Sequence, residues 1–106
     1  MGYSRPTSVS VDQIIRLVAE YYGVEIAAVC GQSRSRELVR PRHIAMYLAR
    51  QEAGASLPHI GTAMGGRDHT TILYGVNKMA EEIEHDDSLR REVLSIRERL
   101  YRNGQP

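Results

Sequence analysis

Two adjacent glycines, Gly65 and Gly66, separate two stretches of helical pattern in the middle of the chain. Glycine takes a positive φ without steric penalty, so this pair ends the first helix and forms a tight turn. Ser56 is a side-chain acceptor that can cap the first helix, and Pro58 lies just inside it, where a missing N–H is harmless. Asp68 is suited to cap the second helix, which begins directly after the turn.

Apolar residues on both sides of this turn recur at helical spacing. They are Leu57, Ile60, Ala63 and Met64 in the first helix, and Ile72, Val76, Met79 and Ile83 in the second. Residues spaced by three, four and seven positions share one face of a helix, so each helix is expected to bury one side. Two helices joined by a short glycine-containing turn are the signature of the helix-turn-helix, whose second helix enters the DNA major groove N-terminus first.

The turn and the start of the second helix carry only polar side chains after the glycines. These are Arg67, Asp68, His69, Thr70 and Thr71. A helix start has free N–H groups and a positive dipole end, which suit a phosphate, and polar side chains there can reach base edges. Local roles are the alternatives: a helix cap worth about 1 kcal/mol for Asp68, a surface histidine, and local hydrogen bonds for the threonines. We favour DNA contact, because a helix that only packed would not need this cluster.

The net charge of the 106-residue chain is +1, but the charges are unevenly placed. Four arginines and one acid lie between residues 34 and 42, whereas five acids and no Lys or Arg lie between residues 81 and 87. The basic segment precedes a predicted helix start, whose free amides also suit an anion. It therefore predicts phosphate and minor-groove binding, with a solvated loop as the alternative. The acidic segment predicts a solvated face kept away from DNA.

Four further helices are predicted around the helix-turn-helix. The first begins at Ser10, which forms a capping-box pattern with Gln13, and ends at Tyr22 before Gly23. The second is short and ends before Gly31. No window alternates apolar and polar residues for long enough to indicate a strand. We therefore expect an all-α fold of about six helices, with the helix-turn-helix as the fourth and fifth.

The same spacing predicts which residues face inward. They are Ile14, Leu17, Val18 and Tyr21 in the first helix, Ile26, Val29 and Cys30 in the second, Ile44, Tyr47, Leu48 and Gln51 or their neighbours Ala45 and Ala49 in the third, and Leu89, Val93, Ile96 and Leu100 in the last. The third helix is predicted to begin at about Pro41, with proline in its first position. The last helix is predicted to be capped by Asp87 or Ser88.

The domain organisation follows from composition along the chain. Residues 1–9 are expected to be a flexible lead-in or linker stub, residues 10–102 the DNA-binding domain, and residues 103–106 a flexible tail. The single cysteine, Cys30, cannot form an internal disulfide and is expected to be a small buried residue. Four scattered histidines have no metal-ligand spacing, so we expect no metal or cofactor. No apolar run approaches the roughly 20 residues of a membrane span and no signal-peptide pattern occurs, so we expect a soluble, cytoplasmic protein.

The run GGRDHTT at residues 65–71, together with Arg34-Ser35-Arg36, Arg40-Pro41-Arg42 and Leu57-Pro58, resembles the C-terminal DNA-binding domain (domain IV) of DnaA, the bacterial replication initiator. The resemblance covers residues 9–100. It implies a Trp-repressor-like all-α fold that binds duplex DNA at TTATCCACA-type boxes in the origin of replication, without catalysis. It also implies an upstream ATPase domain in a full-length initiator. This chain has no GxxxxGK[ST] motif, so it is either an excised domain or a stand-alone relative.

The resemblance implies two groups of DNA-binding residues in this sequence. Bases are read by Arg34 in the minor groove, by Asp68, His69 and Thr70 in the major groove, and by Leu57 and Pro58 beside thymine methyls or sugar. Phosphates are contacted by Ser35, Arg36, Arg42, His43, Arg50, Arg67 and Thr71. Two departures from the family pattern are His43 in place of glutamine and a less basic loop at Gln32 and Ser33. Both bear on phosphate affinity more than on sequence choice.

Two other functions are weighed against specific DNA binding. A protein-interaction or regulatory module with weak or nonspecific DNA binding is the alternative, although polar residues clustered at one helix start and one loop favour a duplex. An enzyme using Asp68 and His69 is set aside, because adjacent helical residues diverge by about 100° and do not act together on one substrate atom. The sequence has no heptad repeat or exposed apolar stripe, so we expect a monomer that binds one asymmetric site.

Overall fold

Residues 9–103 are described by the computed structural model of the protein, and they form six α-helices and no strand. The helices are α1 (Val11–Tyr22), α2 (Ile26–Cys30), α3 (Arg36–Gln51), α4 (Leu57–Ala63), α5 (His69–His85) and α6 (Asp87–Asn103). This confirms the prediction of an all-α fold whose fourth and fifth helices form the helix-turn-helix. None of these helices is long and apolar enough to cross a membrane. Residues 1–8 of the predicted lead-in and residues 104–106 of the predicted tail lie outside the described residues.

α1 begins and ends at the predicted residues. The Ser10 side chain accepts a hydrogen bond from the Gln13 amide at 3.1 Å, and the Gln13 side chain accepts one from the Ser10 amide at 2.8 Å. Gly23 ends the helix with a φ of 67°. Val9, which precedes the cap, is 9% exposed and belongs to the core. The capping box therefore fixes the direction from which the chain joins the core.

α3 lies at the centre of the fold, where it packs against α1, α2, α4 and α5. α6 packs against α1 and α5. The largest fully buried side chains come from all six helices and the turn after α4: Ile14, Ile44, Leu48, Ile60, Met64, Ile72, Met79, Leu89, Ile96, Val18, Val29 and Pro41. The four apolar residues predicted to face inward in α6 are all buried.

α3 begins at Arg36, so the prediction that Pro41 occupies its first position was wrong. Pro41 lies inside the helix and removes one backbone hydrogen bond, the one that its N–H would donate to the Glu37 carbonyl. Burial offsets this loss, because Pro41 is fully buried and Leu38, one turn earlier, is 4% exposed. The loop before α3 is therefore shorter than predicted and spans residues 31–35, with Arg36 on the first turn of the helix.

Two predicted inward positions are also wrong. Ile26 is 45% exposed, because α2 is only five residues long and turns Val29 toward the core. Gln51 is exposed at the end of α3, whereas Ala45 and Ala49, the alternative inward positions, are buried as that alternative predicted.

α6 is capped by Asp86, and not by Asp87 or Ser88 as predicted. Asp86 Oδ1 accepts a hydrogen bond from the Leu89 amide at 3.0 Å. α5 continues to His85, so Asp86 is the single residue between the two helices. Its extended backbone, with φ −135° and ψ 101°, is the conformation that a helix cap requires.

Two glutamates fasten α6 to the rest of the fold, each by holding a tyrosine and an arginine. Glu92 accepts hydrogen bonds from Tyr22 and Arg40, and Glu52 accepts one from Tyr101 and lies 2.7 Å from Arg97 Nε. Burial and the neighbouring Glu92 carboxylate both raise the pKa of Tyr22 far above its usual value. The Tyr22 phenol therefore stays protonated and acts only as a donor to Glu92.

Candidate nucleic-acid interface

The turn between α4 and α5 has the geometry that its two glycines predict. Gly65 and Gly66 both have a φ of 81°. The Gly61 carbonyl accepts hydrogen bonds from the amides of Gly66 at 2.9 Å and Arg67 at 3.0 Å. These bonds pair the Gly61 carbonyl in the last turn of α4 and fix the direction in which α5 leaves the turn.

Both helices of the motif are capped by the predicted residues. Ser56 Oγ accepts a hydrogen bond from the His59 amide at 3.1 Å, and Asp68 Oδ1 accepts one from the Thr71 amide at 2.8 Å. Hydrogen bonds from Thr71 lower the pKa of the exposed Asp68 carboxyl, which is therefore ionised at neutral pH. An exposed carboxylate at this position can accept a hydrogen bond from the amino group of cytosine.

The exposed face of α5 extends beyond the predicted base readers. His69, Thr70 and Thr71 are exposed on its first turn. Leu73 and Tyr74, three and four positions after Thr70, are 43% and 61% exposed. This spacing places them on the face that carries Thr70. Sequence reasoning missed both residues, and the available signal was two large side chains that lie off the buried spacing of the helix.

His43, which was predicted to contact a phosphate, lies half-buried on α3 against α5. Its ring meets Tyr74 edge-on, with 6.1 Å between the ring centroids. A Cβ at Gly75 would lie 3.2 Å from His43 Cδ2 and closer still to Met46 Sδ, so the absent side chain makes room for both side chains. Burial lowers the pKa of His43, and the ring is therefore neutral at neutral pH. His43 supports the Tyr74 ring and offers a phosphate no positive charge.

Lowering the pH from about 7.5 to about 5.5 is expected to reduce thermal stability through His43. The pKa of folded His43 lies below its ordinary value, so the unfolded chain takes up the proton first as the pH is lowered. The free energy of unfolding therefore decreases as the pH decreases. Lys78 and Arg42 act in the same direction as burial, and Glu82 opposes them. His43→Gln should flatten the curve of melting temperature against pH by a few degrees over this range. An unchanged slope would show that His43 does not contribute to the pH dependence of the melting temperature.

The basic loop, residues 31–35, connects α2 to α3 and is exposed from residue 32 onward. The Ser35 amide donates a hydrogen bond to Ser33 Oγ at 3.2 Å. The side chains of Arg34 and Arg36 form no hydrogen bond or ion pair with another residue in the range 9–103. Two guanidinium groups are therefore available to a phosphate or a groove at the start of α3.

Arg42, predicted to contact a phosphate, instead points its guanidinium group into the protein. Only 8% of this residue is exposed. It donates hydrogen bonds to the carbonyls of Ala28 at 2.7 Å, Val29 at 2.9 Å, and Ser33. The first two carbonyls belong to the last turn of α2, where the Gly31 amide donates a hydrogen bond to that of Ala28 at 3.2 Å. Arg42 thus ends α2 and holds the basic loop.

Arg67 makes a second set of backbone contacts. Its Nη1 donates to the carbonyls of Met64 at 2.6 Å and Cys30 at 3.1 Å, and its Nη2 donates to the Gly31 carbonyl at 2.6 Å. Met64 ends α4, whereas Cys30 and Gly31 lead into the basic loop. The loop and the turn before α5 are therefore adjacent in space, although more than thirty residues separate them in the chain.

The start of α4 holds the remaining predicted contacts. Leu57 is half-buried and Pro58 is exposed beside it. Arg50, at the end of α3, donates a hydrogen bond to the Ala55 carbonyl at 2.8 Å and is otherwise exposed. Pro58 therefore offers an accessible apolar surface, and Arg50 helps to set the connection between α3 and α4.

Opposite charges occupy the two ends of α5. The acidic segment at residues 81–87 includes its C-terminal end, about 20 Å along the axis from His69. The basic loop lies at its N-terminal end, which also carries the positive end of the helix dipole. An anion is therefore directed to the N-terminal end of α5. Among residues 9–103, no group of three His, Cys, Asp or Glu side chains is arranged to hold a metal ion.

Known proteins with similar sequences are bacterial replication initiators. The family model described as bacterial DnaA protein helix-turn-helix matches residues 11–79. Relatives named chromosomal replication initiator protein DnaA include those of Roseiflexus castenholzii, 52% identical over 101 residues, and Chloroflexus aurantiacus, 48% identical over 100 residues. These alignments cover 95% and 94% of this chain and 21% of each relative. The chain thus spans about a fifth of the length of these relatives.

The fold is also similar to that of a solved structure. The crystal structure of a DNA replication initiation factor superposes with a TM-score of 0.79 and 28% sequence identity. The superposition covers 90% of this chain and 29% of the other. The family match itself extends from α1 into α5 and so includes the basic loop, α4, the turn and the N-terminal part of α5. The chain therefore belongs to the DNA-binding helix-turn-helix family of the bacterial DnaA protein.

Proposed function

We propose that this chain binds duplex DNA sequence-specifically at boxes of the TTATCCACA type, as the origin-recognition domain of a replication initiator. One observation carries the proposal: the basic loop and the start of α5 are adjacent, joined by the hydrogen bonds of Arg67 to Gly31 and Met64. Two DNA-contacting elements that lie side by side suit two adjacent grooves of one duplex. Membership of the DnaA family supports the choice of box.

In this proposal the first turn of α5 enters the major groove. Asp68 accepts from a cytosine amino group, and His69 and Thr70 contact base edges, each good contact being worth roughly 1–3 kcal/mol. The exposed Leu73 and Tyr74 continue the same face and contact the wall of the groove. Leu57 and Pro58 contribute apolar contacts at the start of α4.

The arginines divide into two sets. Arg34 enters the minor groove, where a narrow A·T-rich segment has enhanced negative potential. Arg36, Ser35 and Thr71 contact phosphates and fix the register of the protein on the duplex. The inward hydrogen bonds of Arg42 and Arg67 argue that these two add positive charge behind the interface and do not lead the phosphate contacts. Arg50, which is exposed apart from its bond to the Ala55 carbonyl, contacts a phosphate.

The proposed context is that of the longer relatives. The domain binds one asymmetric site as a monomer, and in a full-length initiator an upstream ATPase domain supplies the nucleotide chemistry. The domain itself contributes binding without catalysis. These points go beyond the family assignment, because the chain covers 21% of the length of the Chloroflexus aurantiacus relative.

The experiment is a titration of labelled duplex containing a TTATCCACA-type box against a scrambled duplex of equal composition, at two salt concentrations. We expect tighter binding to the box, and the preference should survive the higher salt because base contacts do not release counterions. If about five phosphates are neutralised, log affinity should fall against log salt with a slope of about −4 to −5.

Two results would contradict the proposal. Equal binding to both duplexes would leave a nonspecific basic domain, whose whole affinity disappears with salt. Absence of binding to either duplex would favour the protein-interaction alternative, in which the same exposed face of α5 meets a regulatory partner.

A further inference from the structure

Two arginines share the task of pairing the carbonyls around the basic loop. Arg42 and Arg67 together donate hydrogen bonds to six backbone carbonyls, and neither forms an ion pair with a carboxylate among residues 9–103. The two cations are close, because Arg42 binds the Val29 carbonyl and Arg67 binds that of the next residue, Cys30. Burial and the charge of Arg67 both lower the pKa of Arg42. The two guanidinium groups repel each other, so they stay close only because their hydrogen bonds to carbonyls outweigh this repulsion.

Arg67 is the member of this pair that joins two DNA-facing elements. It lies two residues before His69, the first residue of α5, and its Nη2 is 2.6 Å from the Gly31 carbonyl at the start of the basic loop. The packing at the turn is equally close: an ideal Cβ at Gly65 would lie less than 3.0 Å from the Cys30 carbonyl oxygen. The loop therefore has little freedom to move relative to α5.

We propose that Arg67 is a positioning residue that sets the distance between the minor-groove arginine, Arg34, and the base readers at the start of α5. This inference rests on the proposed function, and it replaces the expectation that Arg67 binds a phosphate. When the loop is held, engagement of α5 in the major groove delivers Arg34 to the adjacent minor groove. If the loop is mobile, the entropy cost of ordering it on DNA offsets part of the affinity that Arg34 contributes.

The test is a set of double variants in the full 106-residue chain, measured with the labelled box duplex. In the wild-type background, Arg34→Ala is expected to lower affinity for the box by about tenfold or more. In the Arg67→Gln background the same change should lower it by less than about threefold. Arg67→Lys keeps the charge but loses the planar fork, so it should behave like Arg67→Gln. Arg91→Gln, an exposed charge change on α6, is the matched control and should leave the effect of Arg34→Ala unchanged.

A phosphate role for Arg67 predicts a different pattern. In that case Arg67→Gln would weaken binding to box and scrambled duplexes equally, Arg34→Ala would keep its full effect, and Arg67→Lys would restore affinity. Any of these three results would overturn the positioning role. If Arg67→Gln does not fold, Arg67→Lys supplies the same comparison with the charge retained.

A measurement without DNA separates this inference from the proposed function. The heteronuclear ¹⁵N–¹H NOE of the amides of residues 31–35 reports loop motion on the picosecond to nanosecond timescale. We expect it to fall in Arg67→Gln and Arg67→Lys, but not in Arg91→Gln. If the wild-type chain does not prefer the box, the proposed function fails while a lowered NOE still supports the positioning of the loop. An unchanged NOE would show that Arg67 does not hold the loop.

Discussion

Replacing Gly65 by alanine is expected to destabilise the fold by about 2–5 kcal/mol. The residue has a φ of 81°, a left-handed conformation that costs a residue with a Cβ about 1–2 kcal/mol. The added methyl group would also collide with the Cys30 carbonyl oxygen, and that atom belongs to backbone held by Arg67. Overpacking against such a neighbour typically costs a further 1–3 kcal/mol, by order of magnitude. The sum is a large part of the roughly 5–15 kcal/mol that stabilises a small domain.

The neighbouring glycine provides a matched control. Gly66 has the same φ of 81°, but a Cβ there would meet nothing within 4 Å. Gly66→Ala should therefore cost only the backbone strain of about 1–2 kcal/mol. Urea unfolding followed by circular dichroism gives both values. Equal destabilisation of the two variants would mean that the contact between Gly65 and Cys30 is not tight.

The turn and the caps of the helix-turn-helix were predicted correctly because their causes are local. Ser56 and Asp68 each cap an amide three residues away, and the two glycines supply their own backbone conformation. The buried faces of α1 and α6 followed in the same way from the 3.6-residue period of a helix. Where the deciding neighbours lie within about four residues, the sequence alone determines the outcome.

The start of α3 was predicted wrongly because a tertiary contact overrides a local preference there. Proline favours the first turn of a helix, and this preference placed the start at Pro41. The structure extends the helix back to Arg36 because burial of Leu38 and Pro41 offsets one lost hydrogen bond. This burial depends on residues that are distant in the chain, and the local spacing of apolar residues carries no information about them.

At the candidate interface, the roles of the arginines also depend on tertiary contacts more than on neighbours in sequence. From the sequence, Arg36, Arg42 and Arg67 are equivalent cations near a DNA-binding motif. In the structure only Arg36 of these three is exposed and without a partner among residues 9–103, because the other two bind backbone carbonyls. Most of those carbonyls lie 9–14 residues from Arg42 or 36–37 residues from Arg67, and only that of Met64 is close in the chain. Their inward direction was not predictable from spacing. For the exposed arginines, the expectation that a cation beside a DNA-binding motif contacts DNA still stands as a prediction.

Arg34 is expected to read the minor groove, and its replacement by alanine should lower affinity for the box by about tenfold to a hundredfold. Its guanidinium group is exposed and forms no hydrogen bond or ion pair within residues 9–103, so it is available to a narrow A·T-rich groove. The minor groove distinguishes A·T from G·C through the guanine amino group. A duplex in which that amino group alone is removed therefore isolates the contact.

The measurement replaces each A·T pair of the box, one at a time, by G·C and by inosine·C. Inosine lacks the guanine amino group but keeps the major-groove edge of guanine. At the pair read by Arg34, G·C should weaken binding about tenfold while inosine·C does not, and Arg34→Ala should abolish this difference. Arg36→Ala is the control, because loss of a phosphate contact weakens binding to every duplex alike and reduces the salt slope by about 1. If G·C and inosine·C weaken binding equally at every pair, the protein reads the box through the major groove alone.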